Sequence, residues 1–96
     1  MKAIDILQKV QEIQEERGKE YENSGQERSF DKIAMVFNVI TGKDITPAEV
    51  TLILQILKDV RQWADYRLHE DCIIDSVSYA SLKGELLYKQ YNQTTK

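Results

Sequence analysis

Only one cysteine (Cys72), one histidine (His69) and one proline (Pro47) occur among the 96 residues. A lone cysteine excludes an internal disulfide and a cysteine-rich zinc site. A lone histidine gives no support to a histidine-rich metal site or a serine–histidine triad. A basic excess is also lacking. Thirteen Lys and Arg face sixteen Asp and Glu, for a net charge of −3, whereas an extended nucleic-acid face needs surplus cations. No apolar run approaches the roughly 18 residues of a membrane span, and no signal peptide opens the chain. Hydrophobic residues make up 42% and charged residues 30%, a folded rather than disordered composition. The expectation is one cytoplasmic domain over residues 1–91 with a polar tail at 92–96, no membrane partner and no extended nucleic-acid partner.

What the chain does carry is helical periodicity. Thr46-Pro47-Ala48-Glu49 combines a capping threonine, a proline suited to the first helical position and a glutamate able to bond back to the cap. A helix is expected from there to about Leu68. Before it, Phe30, Ile33, Ala34, Phe37 and Ile40 repeat at helical spacing, between a candidate N-cap at Ser29 and a stop at Gly42. The first helix is expected near 3–21 with Ile6, Val10, Ile13 and Tyr21 inward, and Gly18 as a stop or weak point. Residues 22–28 read as a loop, and a last helix spans about 71–91. The reading is all-α, a small four-helix bundle.

Helices three and four hold more apolar surface than one core needs. Val50, Ile53, Leu57, Val60 and Ala64 form one stripe on the third; Leu52, Ile56 and Trp63 form another, displaced round the axis. On the fourth, Ile73, Val77, Ala80, Leu87 and Tyr91 share a face, while Tyr79, Leu82 and Leu86 cover a second. Either both helices are central, or Leu52, Ile56, Trp63, Leu82 and Leu86 form a homo-oligomer interface.

Charges on apolar faces are the candidate site residues. At about 100° per residue, Arg17 falls among Ile6, Val10, Ile13 and Tyr21, and Arg61 falls between Leu57, Leu54 and Ala64. A buried arginine needs a carboxylate, carbonyls or an anionic ligand. Asp71, Asp75 and Tyr79 share one ridge at i, i+4, i+8. An antiparallel hairpin of helices three and four sets Asp75 level with Arg61, with Lys58 nearby. Arg17 and Arg61 are therefore expected to be mostly buried, with Asp75 paired to Arg61, as a structural ion pair or as part of an anion site. Glu12, Glu16 and Glu20 project away from the apolar stripe as a solvated face. His69 is expected to be exposed in a loop, and Cys72 to be a small apolar residue.

These motifs resemble a known phage domain. Arg17-Gly18-x-x-Tyr21, Phe30-x-x-Ile33-Ala34, Ile45-Thr46-Pro47-x-x-Val50, Lys58-x-x-Arg61 and Asp71-x-x-x-Asp75-x-x-x-Tyr79-Ala80 are similar to the nucleotide-modification-associated domain 1 family and related uncharacterised phage domains. The resemblance runs from about Ile6 to Leu87. It implies a viral protein acting in the host cytoplasm with a link to nucleotide chemistry. A more distant similarity is to all-α nucleotide pyrophosphohydrolases of the MazG type, which hold magnesium with an E-x-x-E pair and a later E-x-x-D pair. Here Glu12-x-x-Glu15 is present, and the later acidic pair is Asp71-x-x-x-Asp75.

Three function classes follow. The first is a binder or sequesterer of a nucleotide or phosphate-bearing ligand, with phage counter-defence as one use. Its ligand residues are Arg17, Tyr21, Lys58, Arg61, Asp71, Asp75 and Tyr79, with the arginines as clamps and the tyrosines supplying stacking or hydroxyl contacts. It needs no cofactor. The second is a protein–protein inhibitor of a host defence factor. The third is a magnesium-dependent nucleotide pyrophosphohydrolase using Asp71 and Asp75 with a glutamate from the first helix.

Overall fold

Local capping chemistry divides the chain into helices. The computed structural model describes residues 1–24 and 29–94, and the side chains of 1–20 and 29–92. Four helices follow one another: α1 (Ala3–Ser24), α2 (Phe30–Thr41), α3 (Pro47–Gln62) and α4 (Glu70–Thr94). No strand occurs among the described residues. The fold is all-α, as expected.

The start of α3 is the best-defined boundary. Thr46 Oγ1 accepts from the Glu49 backbone N–H at 3.2 Å, and the Thr46 N–H donates to Glu49 Oε1 at 3.0 Å. This reciprocal box satisfies two donors at once, and Pro47 occupies the first turn, where no partner is needed for the N–H it lacks. Upstream, Gly42 adopts φ 70° and donates to the Asn38 carbonyl at 2.9 Å, the left-handed stop that glycine tolerates. The Asn38 amide then clamps Ile45 through both its oxygen (2.8 Å) and its nitrogen (2.9 Å), which folds α2 back along α3.

Helix ends differ from expectation at α1 and α3, whereas Ser29 is the N-cap of α2 as expected. Gly18 does not interrupt α1, which runs through Ser24; one glycine costs only about 1 kcal/mol in a helix this long. Ser29 occupies the N-cap position of α2 without a side-chain cap bond. α3 ends at Gln62 rather than near Leu68, because the Gln62 amide grips the following loop, donating to the Arg67 carbonyl at 3.0 Å and accepting from the His69 N–H at 2.9 Å. Asp65 closes the same loop by accepting from the Arg67 N–H and lying 2.9 Å from His69 Nε2. His69 is thereby half-buried, not exposed as expected. The Arg67 N–H first, and the His69 ring second, hold the Asp65 carboxyl below the usual aspartate range.

Packing order departs from a closed ring. α3 and α4 form a central antiparallel hairpin; α2 packs on α3, and α1 runs parallel to α4 and packs on it. Backbone packing follows the series α1–α4–α3–α2, so among the described residues the bundle is open between α1 and α2.

The hairpin seam is largely polar. Lys58 pairs with Asp75 at 3.0 Å, the Ser76 hydroxyl donates to Asp59 at 2.8 Å, and Lys83 donates to Gln55 at 2.8 Å. Thr51 is wholly buried and donates to the Ala48 carbonyl. Thr51, Gln55, Lys58 and Gln62 lie on one ridge of α3, since i, i+4, i+7 and i+11 share a face. That ridge, and neither apolar stripe, faces α4. Val50 is buried, but Ile53, Leu57 and Val60 of the first stripe and Leu52, Ile56 and Trp63 of the second are all exposed. On α2 only Ala34 is buried; Ile33, Phe37 and Ile40, expected inward, are exposed. Among the described residues the buried apolar ones are Val10, Ala34, Ala48, Val50, Cys72 and Ile74. Cys72 therefore packs as a small hydrophobe. Glu12, Glu16 and Glu20 are solvated as expected.

Thr46→Ala is expected to cost about 1 kcal/mol, read as a lower urea midpoint at unchanged slope. A carboxyl-carbon NMR titration should place Asp65 below the usual aspartate range. Because its folded pKa is lowered, its stabilising effect is full above the unfolded aspartate pKa and is lost as pH falls through the folded one. In Asp65→Asn that acid-sensitive increment should be missing.

Candidate functional site

Of the expected site residues, the helices bring together two separate groups. Lys58 and Asp75 form the first, within the α3–α4 seam. Their side chains are only 15% and 23% exposed, and they pair at 3.0 Å. Asp75 is thus the partner of Lys58 and not of Arg61. Arg61 lies about 60° round the helix from Lys58, off the ridge that faces α4, and is exposed. Asp71, one turn before Asp75, is exposed as well. Neither Arg61 nor Asp71 takes part in an ion pair among the described residues. The expectation of a buried Arg61 failed because helical projection identifies a shared face but not which edge of it meets the neighbour.

The second group lines a cleft of ≈ 240 Å³ where the four helices meet. α1 supplies Gln14 and Arg17 to it, and the beginning of α2 supplies Ser29, Phe30 and Ile33. Leu54 of α3 and Ser78, Tyr79 and Leu82 of α4 complete the walls. Gln14 anchors α1 there by donating to Ser81 Oγ at 2.7 Å and to Ser78 Oγ at 3.1 Å. One turn further on, Arg17 reaches the cleft edge. It is exposed rather than buried, as a long side chain whose charged head stays in water can be. It makes no ion pair among the described residues. The Tyr21 side chain lies outside the described residues.

The two groups are one helical turn apart. Leu54 precedes Lys58 by four residues on α3, and Tyr79 follows Asp75 by four on α4, so the ion pair lies directly beyond one wall of the cleft. Chemically, the cleft offers a guanidinium, an aromatic ring on each of two sides, hydroxyl groups and an apolar floor. The N-terminal end of α2 adds partial positive charge. Gln14, Ser29, Phe30, Leu54 and Ser78 were not singled out from sequence. Gln14, three residues before Arg17, had the one readable signal, an amide on the same face.

Metal binding finds no ligand set here. Among the described residues no three His, Cys, Asp or Glu side chains converge, and Asp75 is already neutralised by Lys58. Of the interface residues expected from sequence, Leu52, Ile56 and Trp63 are exposed, while Leu82 and Leu86 are half-buried, Leu82 as a wall of the cleft. Among the described residues no helix is long and apolar enough to cross a membrane.

Compared with known proteins, residues 5–87 match the family described as Domain of unknown function (DUF6378). No curated protein and no solved structure matches the chain.

The Lys58–Asp75 pair gives a direct test of the seam. Lys58→Met should destabilise by about 2 kcal/mol, less than the 3–5 kcal/mol of a fully buried pair, and adding Asp75→Leu should restore most of the loss. Arg61→Leu should stay within about 0.5 kcal/mol of wild type. Chemical denaturation of the four proteins reads all three outcomes.

Proposed function

Since the chain belongs to the DUF6378 family, whose description assigns no activity, we propose from its own geometry that it binds a phosphate-bearing ligand of the nucleotide class in the four-helix cleft. The observation that carries this reading is Arg17, a guanidinium at the cleft edge with no carboxylate partner among the described residues. Arginine binds phosphate through two parallel charge-assisted hydrogen bonds. The phosphate sits between Arg17 and the start of α2, where peptide dipoles favour an anion. Phe30 and Tyr79 provide the aromatic surfaces against which a base stacks. Lys58 and Asp75 support the cleft wall from one turn away, and Arg61 and Asp71 stand outside it.

The sequence resemblance to phage domains extends the proposal to a viral protein of the host cytoplasm that sequesters a host nucleotide. The inhibitor reading has one observation in its favour, the exposed apolar surface of α2 and α3. The hydrolase reading gains none.

Thermal denaturation with mono-, di- and cyclic nucleotides and with inorganic phosphate, each with and without magnesium, tests the proposal. A ligand at a hundred times its Kd should add about 2.7 kcal/mol to the folded state. Arg17→Ala, a change at an exposed side chain, should abolish that shift and leave the unliganded midpoint in place. No shift from any of these probes would refute the reading. A shift that needs magnesium would transfer the site to the hydrolase class.

A further inference from the structure

The chain exposes far more surface than its mass requires. A folded monomer of 11.2 kDa has about 5,700 Å² of accessible surface, whereas this one has 7521 Å². Its radius of gyration is 15.0 Å, against about 12.5 Å for a close-packed chain of this length. The surplus, roughly 1,800 Å² per chain, exceeds the ~800 Å² that each partner loses in a standard interface and lies in the range of obligate homodimers.

Part of this surplus lies on α2 and α3. α2 reads Phe-Asp-Lys-Ile-Ala-Met-Val-Phe-Asn-Val-Ile-Thr, apolar almost all round, which is the pattern of a helix enclosed by protein. Yet among the described residues its backbone packs only on α3, and Val39 and Ile40 are 80% and 77% exposed. On α3 the polar seam occupies the side toward α4, so Ile53, Ile56 and Val60 are turned outward on the opposite side. A lone chain would leave both faces in water, and large contiguous apolar faces mark interaction surfaces.

We infer that a second copy of this chain covers the apolar faces of α2 and α3, and that the protein is a homodimer built on α2. Self-pairing fits the charges. The only ionic residues of α2 are Asp31 and Lys32 at its beginning, and Lys43 and Asp44 follow its end. Antiparallel pairing of α2 about a two-fold axis brings each end to its opposite. Asp31 and Lys32 of one copy then meet the partner's Lys43 and Asp44, with charges of both signs available on each side. A two-fold contact of this kind is self-complementary and closes. This interface keeps Ile56 of the set expected from sequence and centres on α2 rather than on Trp63 and α4.

Sedimentation equilibrium on the full chain should give twice 11.2 kDa. Because Cys72 is buried, a single added thiol near the axis is the reactive one, and Val39→Cys should form a covalent dimer on mild oxidation while Trp63→Cys does not. The pair Val39→Lys with Ile40→Lys should weaken association by ~100-fold or more, since each chain buries two unpaired charges. Circular dichroism checks that the helices persist; if they are lost, the Val39→Cys cross-link in otherwise unaltered protein decides. A monomer at 100 µM would overturn the inference and hand the face to a different protein. A dimer that resists this double substitution and cross-links through Trp63→Cys would overturn it too. Neither result touches the Arg17 cleft, whose test is the ligand-dependent shift.

Discussion

The polar seam between α3 and α4 sets the rest of the structure. Lys58 with Asp75, Asp59 with Ser76 and Gln55 with Lys83 run along one antiparallel contact. Sliding one helix by a turn would break all three at once and leave a half-buried cation and carboxylate apart. A buried ion pair often adds little net stability relative to apolar packing, but separating its members is costly. The seam therefore acts mainly on register. It also has a geometric consequence: giving the α4-facing ridge of α3 to Thr51, Gln55, Lys58 and Gln62 turns Ile53, Ile56 and Val60 to the far side.

The cleft inherits its position from that register. Leu54 and Tyr79 each sit one turn from a member of the Lys58–Asp75 pair, so fixing the pair fixes two of the walls. The third comes from α1, held by Gln14 on Ser78 and Ser81. Arg17 follows Gln14 by three residues and so arrives at the cleft edge at a set height. α2 supplies the remaining wall through Phe30, and its attachment depends on the turn shaped by Gly42, Asn38 and the Thr46 box. Polar contacts of ordinary length, placed at helix ends and along one seam, thus locate every wall.

Sequence reasoning read the local signals well. The threonine, proline and glutamate of the α3 cap and the glycine after α2 act within four residues, where chemistry alone decides conformation. Glu12, Glu16 and Glu20 were equally legible as a solvated face, because no neighbour competes for them. It failed where a neighbour had to be chosen. Arg61 and Lys58 stand three residues apart, and only the register of α4 assigns Asp75 to the lysine. The apolar stripes of α3 were visible, yet their direction was not, since an apolar face records that something covers it without saying whether that is the same chain. Arg17 and Tyr79 were both named, but their shared cleft depends on Gln14 and Phe30, residues of common type with no motif to mark them.

The two proposals meet at α2. Phe30 and Ile33 line the cleft, while Val39 and Ile40 lie further along the same twelve-residue helix. Among the described residues the α2 backbone packs only on α3, and a helix of this length has little stability of its own without tertiary packing. A second copy packed on its outer face would order it and, with it, the Phe30 wall. Ligand binding to Arg17 and the start of α2 would order the same helix from the other end. Two events that share one ordering step are coupled, and the coupling is reciprocal: whatever association adds to ligand affinity, the ligand adds to association. The open edge between α1 and α2 would then be the point at which assembly and recognition act on each other, because the cleft lies at the end of that edge and the proposed dimer face lies along its free helix.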